Sequence, residues 1–229
     1  MPFTKFGLPQ VVVCPATVLA LMALACAFLP RGVWLVAAEA FLFIIFIWML
    51  SFFRDPRRVI PLDETVLLSP ADGTVTDIEE TECPELGGRA LRIGIFLSIY
   101  NVHINRTPCS VSIDKVSYHR GKFKNARSSI SGRINESNDI VMRRLAEPRD
   151  LLMVRQVSGA VARRIVCRAE PAREYAQGAA FGMIKFGSRT ELYVPLNEVP
   201  GQAAPALDIA VKIGDKVKAG LSPLVVYKP

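Results

Sequence analysis

Two long apolar runs stand at the amino-terminal end of the chain. Residues 11–29 read VVVCPATVLALMALACAFL without a charge, and residues 34–53 read WLVAAEAFLFIIFIWMLSFF with Glu39 as the one charged position. A helix that crosses the hydrocarbon core of a bilayer needs about 20 apolar residues. A cleaved signal peptide has a single, shorter apolar core. The pattern therefore predicts a hairpin of two membrane-spanning helices, joined by a short turn at residues 30–33.

Basic residues around this hairpin predict its orientation. Its outer ends are flanked by Lys5, Arg54, Arg57 and Arg58, whereas the turn holds only Arg31. Positive residues favour the cytoplasmic side of a membrane, so both outer ends are expected there. We expect the chain in the inner (cytoplasmic) membrane, with the domain that follows the hairpin facing the cytoplasm.

After residue 61 the pattern changes to short segments rich in β-branched residues and bounded by Gly, Pro, Asn or Asp. Such segments predict strands, here at 66–68, 74–78, 91–96, 111–118, 139–145, 151–157, 165–168, 182–186, 191–194 and 207–213. A helix is expected only around 171–177. The fold class is therefore mainly β (α+β), a sandwich-like or barrel-like body preceded by the helical hairpin.

Charge and cysteine content narrow the partners. The 28 Lys and Arg residues outnumber 21 Asp and Glu residues, for a net charge of +7. A basic body is attracted to an anionic membrane surface, and the chain has no nucleic-acid motif, so nucleic acid is not an expected partner. The five cysteines form no C-x-x-C pair, so no metal site is predicted.

Three short motifs could carry chemistry. The chain has only two histidines, and His103 follows a strand pattern in FLSIYNVHINRTP, where a catalytic side chain is often presented. Asp72 lies in the turn SPADG and gains interest as a carboxylate that could orient a histidine. Ser188 follows Gly187 in FGSRT, and a glycine there allows close approach to the preceding carbonyl. No G-x-S-x-G elbow surrounds this serine, so an α/β-hydrolase is not indicated.

Two turns are weakly similar to one another. Residues 69–75 (SPADGTV) and 213–220 (IGDKVKAG) both combine Gly, Asp and Val, as hairpin turns do. They resemble the turns of lipoyl and biotinyl carrier domains, which present a modified lysine on a hairpin. Lys185 in MIKF comes nearest to such a lysine, although Phe186 stands where the second flanking Met belongs.

Together, these segments resemble the phosphatidylserine decarboxylases, in their short, archaeal-type branch. The resemblance covers essentially the whole chain: the apolar pair is followed in order by FFRDPRR, SPADGTV, FLSIYNVHINRTP, YHRGKF, NESND, QVSGAVARRIV and FGMIKFGSRTELYVP. Each segment is weak evidence alone, whereas their order and spacing are specific.

The resemblance implies a proenzyme that cuts itself between Gly187 and Ser188. It implies a membrane hairpin with its basic flank at 1–58 and a catalytic domain at 59–229. Cleavage would give a β chain (1–187) and an α chain (188–229) that stay together as a heterodimer, with the higher oligomeric state left open. Ser188 would become a pyruvoyl group, so no external cofactor is expected. Phosphatidylserine in an anionic membrane would form a Schiff base with it and lose CO2 to give phosphatidylethanolamine.

The same resemblance assigns roles to residues. His103, positioned by Asp72, would serve as the base in cleavage and as the proton donor in decarboxylation. A longer bacterial branch has H-x-x-H, and here the second position is Arg106, which becomes a candidate substrate contact with Asn101. The alternative function from another class is a membrane-tethered lipoyl- or biotinyl-like binding module, which predicts an uncut chain modified at Lys185.

Overall fold

The chain forms two compact units, Met1–Arg57 and Arg58–Pro229. The structure, a computed structural model, describes residues 3–160, 164–185, 187–196 and 206–228. Phe186, part of the predicted strand 182–186 and of the carrier-like motif, lies outside the described residues.

The first unit is a pair of helices, α1 (Leu8–Phe28) and α2 (Val33–Phe52). By length and composition, the segments Pro9–Phe28 and Val33–Phe52 could each cross a membrane, and few of their residues are buried. The thiol of Cys26 on α1 donates a hydrogen bond to Glu39 Oε1 on α2 at 3.5 Å. This contact offsets part of the cost of placing Glu39 among apolar residues.

The second unit is built almost wholly from strands. They are β1 (Val66–Leu68), β2 (Gly73–Cys83), β3 (Gly88–Leu97), β4 (Ile104–Arg106), β5 (Val111–His119), β6 (Ser137–Arg144), β7 (Leu151–Val157), β8 (Ile165–Cys167), β9 (Glu174–Tyr175), β10 (Ala180–Ile184), β11 (Ser188–Pro195), β12 (Leu207–Ile209), β13 (Lys216–Val217) and β14 (Pro223–Tyr227). One short helix, α3 (Ser131–Ile134), and a 3-10 turn at Pro84–Leu86 interrupt them. The predicted mainly β body with an apolar helical pair is confirmed.

Eight strands form one antiparallel sheet in the order β13-β2-β3-β11-β7-β6-β5-β9, which curls into a half-barrel. Smaller sheets have the orders β4-β10-β8 and β1-β14-β12. Alternate side chains of the large sheet face the core, as on β3, where Leu91, Ile93, Ile95 and Leu97 are all buried. β13, within the segment 213–220, pairs with the start of β2, where Lys216 lies opposite Thr74. The two weakly similar turns, 69–75 and 213–220, therefore lie side by side.

The expected helix at 171–177 is wrong. Ala172 has a φ of +61°, which ends any helical run, and the next residues form β9, with Tyr175 paired to Val111 on β5. Pairing with β5 satisfies the backbone better than an isolated helical turn, so tertiary context overrides the local pattern. At the carboxyl end, strand structure stops at Ile209 rather than 213, and β14 was not predicted.

Candidate active site

The Gly187–Ser188 junction lies at the start of β11, deep in the body. Ser188 is fully buried and pairs with Leu97 of β3. Gly187 has a φ of +63°, in the left-handed region that favours glycine. The glycine is therefore required by the backbone, and any side chain at this position would be strained.

The Ser188 hydroxyl has no hydrogen-bond partner among the described residues, although its oxygen is buried. A buried hydroxyl left without a partner costs about 1–3 kcal/mol, so such groups in a folded protein call for a functional explanation. An unpartnered oxygen next to a left-handed peptide is suited to act as a nucleophile.

His103 is also fully buried and lies beside this junction. The Gly187 N–H donates a hydrogen bond to His103 Nε2 at 3.4 Å, and His103 Nδ1 lies 2.9 Å from the Asn101 carbonyl oxygen. These contacts assign the proton to Nδ1, which donates to the carbonyl, and leave a lone pair on Nε2. The lone pair faces the peptide that immediately precedes the Gly187–Ser188 bond.

Asp72 does not hydrogen-bond to His103, contrary to the sequence-based expectation. Arg58 binds both carboxylate oxygens of Asp72, at 2.7 and 2.9 Å, and the Ala219 N–H donates to Oδ1 at 2.8 Å. A guanidinium fork matches a carboxylate in shape and charge, so Arg58 is the charged partner of Asp72. The orienting acceptor for His103 is instead the carbonyl of Asn101, and Arg58 is held inside the body rather than presented to headgroups.

The two candidate substrate contacts are engaged by the protein itself. Asn101 Oδ1 accepts hydrogen bonds from the N–H and the hydroxyl of Ser98, both at 2.8 Å, and so shapes the turn before His103. Arg106 Nη1 donates to the Gly178 carbonyl at 3.0 Å. Neither side chain hydrogen-bonds to Ser188 in the described part of the chain.

A buried chain of polar side chains runs beneath the junction and was missed by sequence reasoning. Asn138 donates to Gln156 at 3.2 Å, Gln156 donates to Asn105 at 2.8 Å, and Asn105 donates to the Thr190 hydroxyl at 2.9 Å. Thr190 lies two residues after Ser188, on the same face of β11. Each strand that contributes to this polar chain has a polar residue at an inward position, and a buried polar side chain seldom lacks a hydrogen-bond partner. That pattern was the signal in the sequence.

The opposite face of β11 is anchored by buried charges. Arg189 donates to both oxygens of Asp77 at 2.6 Å, to Glu191 at 2.6 Å and to the Thr76 hydroxyl at 2.8 Å. Gly94 leaves the necessary space, since a Cβ there would lie 1.8 Å from Arg189 Nη2. Burial lowers the pKa of Arg189, but the charges of Glu191 and Asp77 outweigh it and the net shift is upward. The residue after Ser188 is therefore held as a fixed cation.

Two further observations bear on alternative chemistries. Lys185 is only 6% exposed, whereas a carrier lysine has to be presented to other proteins, so the lipoyl- or biotinyl-like alternative loses support. No cluster of three or more His, Cys, Asp or Glu side chains that could hold a metal ion occurs among the residues described.

The fold and the site thus define a β body with a buried serine–histidine site at a glycyl–seryl peptide, an arrangement typical of nucleophilic chemistry. Comparison with known proteins makes the assignment more specific. The family model described as phosphatidylserine decarboxylase matches residues 45–224.

Relatives of this chain carry the name phosphatidylserine decarboxylase proenzyme. The protein of Desulfotalea psychrophila is 41% identical over 172 residues, which cover 75% of each chain. That of Carboxydothermus hydrogenoformans is 41% identical over 181 residues, 79% of this chain and 80% of its own. That of Rhodopirellula baltica is 36% identical over 230 residues, 100% of this chain and 89% of its own. The chain belongs to the phosphatidylserine decarboxylase family, and the names of its relatives indicate a decarboxylase made as a proenzyme.

Proposed function

We propose that this chain cuts its own backbone between Gly187 and Ser188 and then converts phosphatidylserine to phosphatidylethanolamine by decarboxylation. One observation carries the proposal: a buried, unpartnered serine hydroxyl follows a left-handed glycine whose N–H faces the lone pair of a buried histidine. Family membership supports the same substrate and reaction.

The first step moves the acyl group of Gly187 from nitrogen to oxygen. Ser188 Oγ attacks the Gly187 carbonyl carbon, the amide bond to the Ser188 nitrogen breaks, and the Oγ proton passes to that nitrogen. His103 is the proposed carrier of this proton, because its Nε2 is unprotonated in the assigned tautomer. The ring has to turn from the Gly187 N–H toward Oγ for the transfer.

The second step breaks the ester by β-elimination. The Cα of Ser188 loses its proton, the Gly187 carboxylate leaves, and the resulting dehydroalanine takes up water and releases ammonia to become a pyruvoyl group on Arg189. The products are a β chain (1–187) and an α chain (188–229). They are expected to remain a heterodimer, because β11 pairs with β3 on one side and β7 on the other.

The site residues fit a pyruvoyl group at position 188, since the unpartnered oxygen lies there and Arg189 fixes the adjoining backbone. Such a group supplies a ketone with which the headgroup amine can condense and which accepts the electrons released with CO2. His103, held by the Asn101 carbonyl, is the proposed donor of the proton that replaces CO2 on the substrate carbon. Asp72 is assigned to holding Arg58 and the Ala219 turn. No substrate contact is assigned to Asn101 or Arg106.

The hairpin of α1 and α2 is the proposed anchor in the cytoplasmic membrane, with the body on the cytoplasmic side. Anchoring raises the effective concentration of a lipid substrate at the site. The length and apolar composition of the two helices support this role.

Intact-mass spectrometry of the purified chain tests the proposal. We expect the parent protein and Ser137→Ala, a matched buried serine on β6, to yield two chains divided at 187/188. Ser188→Ala and His103→Ala should remain uncut and inactive. An uncut 25.2 kDa parent chain carrying a modification on Lys185 would instead support the carrier module.

A further inference from the structure

Two loops border the Gly187–Ser188 junction, and we name residues 98–101 and 120–134 together the rim. In the first loop, Ile99 Cγ2 lies 3.9 Å from the Cβ position of Gly187. In the second, Ala126 Cβ lies 3.4 Å from the Cβ position of Gly159, whose own Cβ position is 1.9 Å from the Gly187 carbonyl oxygen. The first loop therefore reaches the junction directly and the second reaches it through Gly159, and both loops also have exposed residues.

The exposed part of the rim is apolar and cationic. Its exposed apolar side chains are Ile99, Tyr100, Phe123, Ile130 and Ile134, of which Tyr100 is 71% and Ile130 61% exposed. Its exposed cations are Arg120, Lys122, Lys124, Arg127 and Arg133. Neither loop contains an acidic residue. Apolar side chains that are grouped on a surface and bordered by polar ones mark interaction sites.

We propose that the rim docks on an anionic phospholipid bilayer and brings the junction to the level of the headgroups. Positive side chains are attracted to the negative surface potential of such a bilayer, and aromatic and aliphatic side chains enter its interface. The inference deepens the proposed function, because a substrate held in the bilayer must reach a buried serine. Docking itself requires no turnover and can be measured separately.

Hydrogen–deuterium exchange of the full chain in nanodiscs tests docking. One set of discs contains only phosphatidylcholine, and the other adds phosphatidylglycerol, an anionic lipid that is not the proposed substrate. We expect exchange across 120–134 to slow severalfold in the anionic discs. The turn at 212–218, which carries the exposed Lys212, Lys216 and Lys218, should be unaffected. Equal exchange in both discs, or equal protection of the control turn, would overturn the proposal.

Charge reversal gives a second test. Lys122→Glu/Lys124→Glu/Arg127→Glu should abolish the protection and lower decarboxylation of bilayer phosphatidylserine at least tenfold. The same variant should still be cut at 187/188 and act normally on a short-chain, monomeric phosphatidylserine. The matched variant Lys212→Glu/Lys216→Glu/Lys218→Glu should behave as the parent. If the rim variant loses decarboxylation of both bilayer and monomeric phosphatidylserine, the rim acts on the headgroup instead of docking. If its protection from hydrogen–deuterium exchange in anionic discs persists, electrostatic docking is refuted.

A separate observation concerns Ser158. Of the buried side-chain hydroxyls in the described ranges, those without a partner belong to Ser158 and Ser188. Val157 is opposite Arg189 in the β7–β11 pairing, so one further residue brings Ser158 opposite Ser188. The contact between Gly159 and the Gly187 carbonyl shows that the chains still run side by side at the next step.

The two hydroxyls share one face of the sheet. The Ser158 N–H donates to the Glu136 carbonyl at 2.9 Å, so its backbone groups point away from β11. Ser158 and Ser188 are therefore a non-hydrogen-bonded pair, the type in which Cα atoms are about 4.5 Å apart and the side chains are closest. Directly opposed residues project to the same side, so each hydroxyl lies near the other.

We infer that Ser158 is a positioning residue for self-cleavage, which rests on the proposed function. A hydroxyl both donates and accepts. After a rotation, Ser158 donates its O–H to one lone pair of Ser188 Oγ, which leaves the Ser188 proton for His103 and directs the second lone pair at the Gly187 carbonyl carbon.

The rate at which the 188–229 chain forms, followed by intact mass with and without hydroxylamine, tests this role. Hydroxylamine cleaves an ester but not an amide, so it reports whether the acyl shift has occurred. Ser158→Ala should form the 188–229 chain at least tenfold more slowly than the parent, and hydroxylamine should not raise that rate. Ser158→Thr and the control Ser137→Ala should stay near the parent rate. Melting temperatures identify a variant that is merely unfolded. Parent-like cutting by folded Ser158→Ala, or its rescue by hydroxylamine, would refute the role. An uncut parent chain would refute the proposed function itself.

Discussion

The contact between Gly159 and the scissile carbonyl offers the most quantitative mutational test. A Cβ on Gly159 would lie 1.9 Å from the Gly187 carbonyl oxygen, and Cβ atoms essentially never approach another atom nearer than 3.0 Å. Gly159→Ala must therefore displace one of the two segments by about 1 Å, and a misplacement of that size costs about 100-fold in rate. This factor equals about 2.7 kcal/mol of activation free energy. Gly159 lies outside the left-handed region, so the methyl contact is the whole perturbation.

Cell-free translation of the full chain into nanodiscs, with intact-mass analysis over time, measures the effect. Gly159→Ala should cut itself about 100-fold more slowly than the parent. Gly121→Ala is the matched control, because its Cβ would meet the Asn135 carbonyl carbon at 2.3 Å, a backbone contact that involves neither Gly187 nor Ser188. Overpacking there lowers stability by about 1–3 kcal/mol but should leave the cutting rate unchanged. Parent-like cutting by Gly159→Ala, or equal slowing in both variants, would refute the reasoning.

Three further predictions concern buried charges and a thiol. Asp72→Asn leaves Arg58 without its charged partner, so the free energy of unfolding, measured by urea denaturation, should fall by about 3 kcal/mol and self-cleavage should fall with it. Adding Arg58→Gln should restore both stability and self-cleavage. If the double variant is stable and still uncut, Asp72 acts in the chemistry itself. Asp77→Asn should weaken the hold on Arg189 and slow decarboxylation through kcat with KM unchanged; a change in KM alone would contradict a positioning role. Burial raises the pKa of the Cys109 thiol to about 12, so its stabilising effect is full below the unfolded pKa of about 8.5 and declines as pH rises toward 12. Alkaline unfolding followed by circular dichroism should be less steep in Cys109→Ser, and identical profiles would contradict this assignment.

Much of the fold could be predicted from the sequence because burial imposes a pattern on each strand. The predicted segments 66–68 and 151–157 coincide with β1 and β7, since apolar residues there alternate or run unbroken between turn residues. The segment 171–177 could not be predicted correctly, because its structure depends on pairing with β5, which is distant in sequence. β14 was missed for the same reason: it is defined by its partners β1 and β12.

The candidate site was predictable as a set of residues but not as a set of contacts. The motifs indicated His103 and Ser188, and the structure brings His103 to the Gly187 N–H. The partner of Asp72 could not be predicted, because several cations and one histidine compete for a carboxylate and only the fold decides which one reaches it. The sequence also does not show that a backbone carbonyl can orient His103 as a carboxylate would. The buried amide chain under the junction was hidden because its members come from four separate strands.

The central claim is that Ser188 becomes an electron-withdrawing carbonyl group at the start of a separate chain. Tandem mass spectrometry of the peptide that begins at position 188, recorded before and after borohydride treatment, addresses it directly. We expect a pyruvoyl group linked to Arg189, which gains two hydrogen atoms on reduction with concurrent loss of decarboxylase activity. An intact serine in an uncut chain that still releases CO2 from phosphatidylserine would contradict the account.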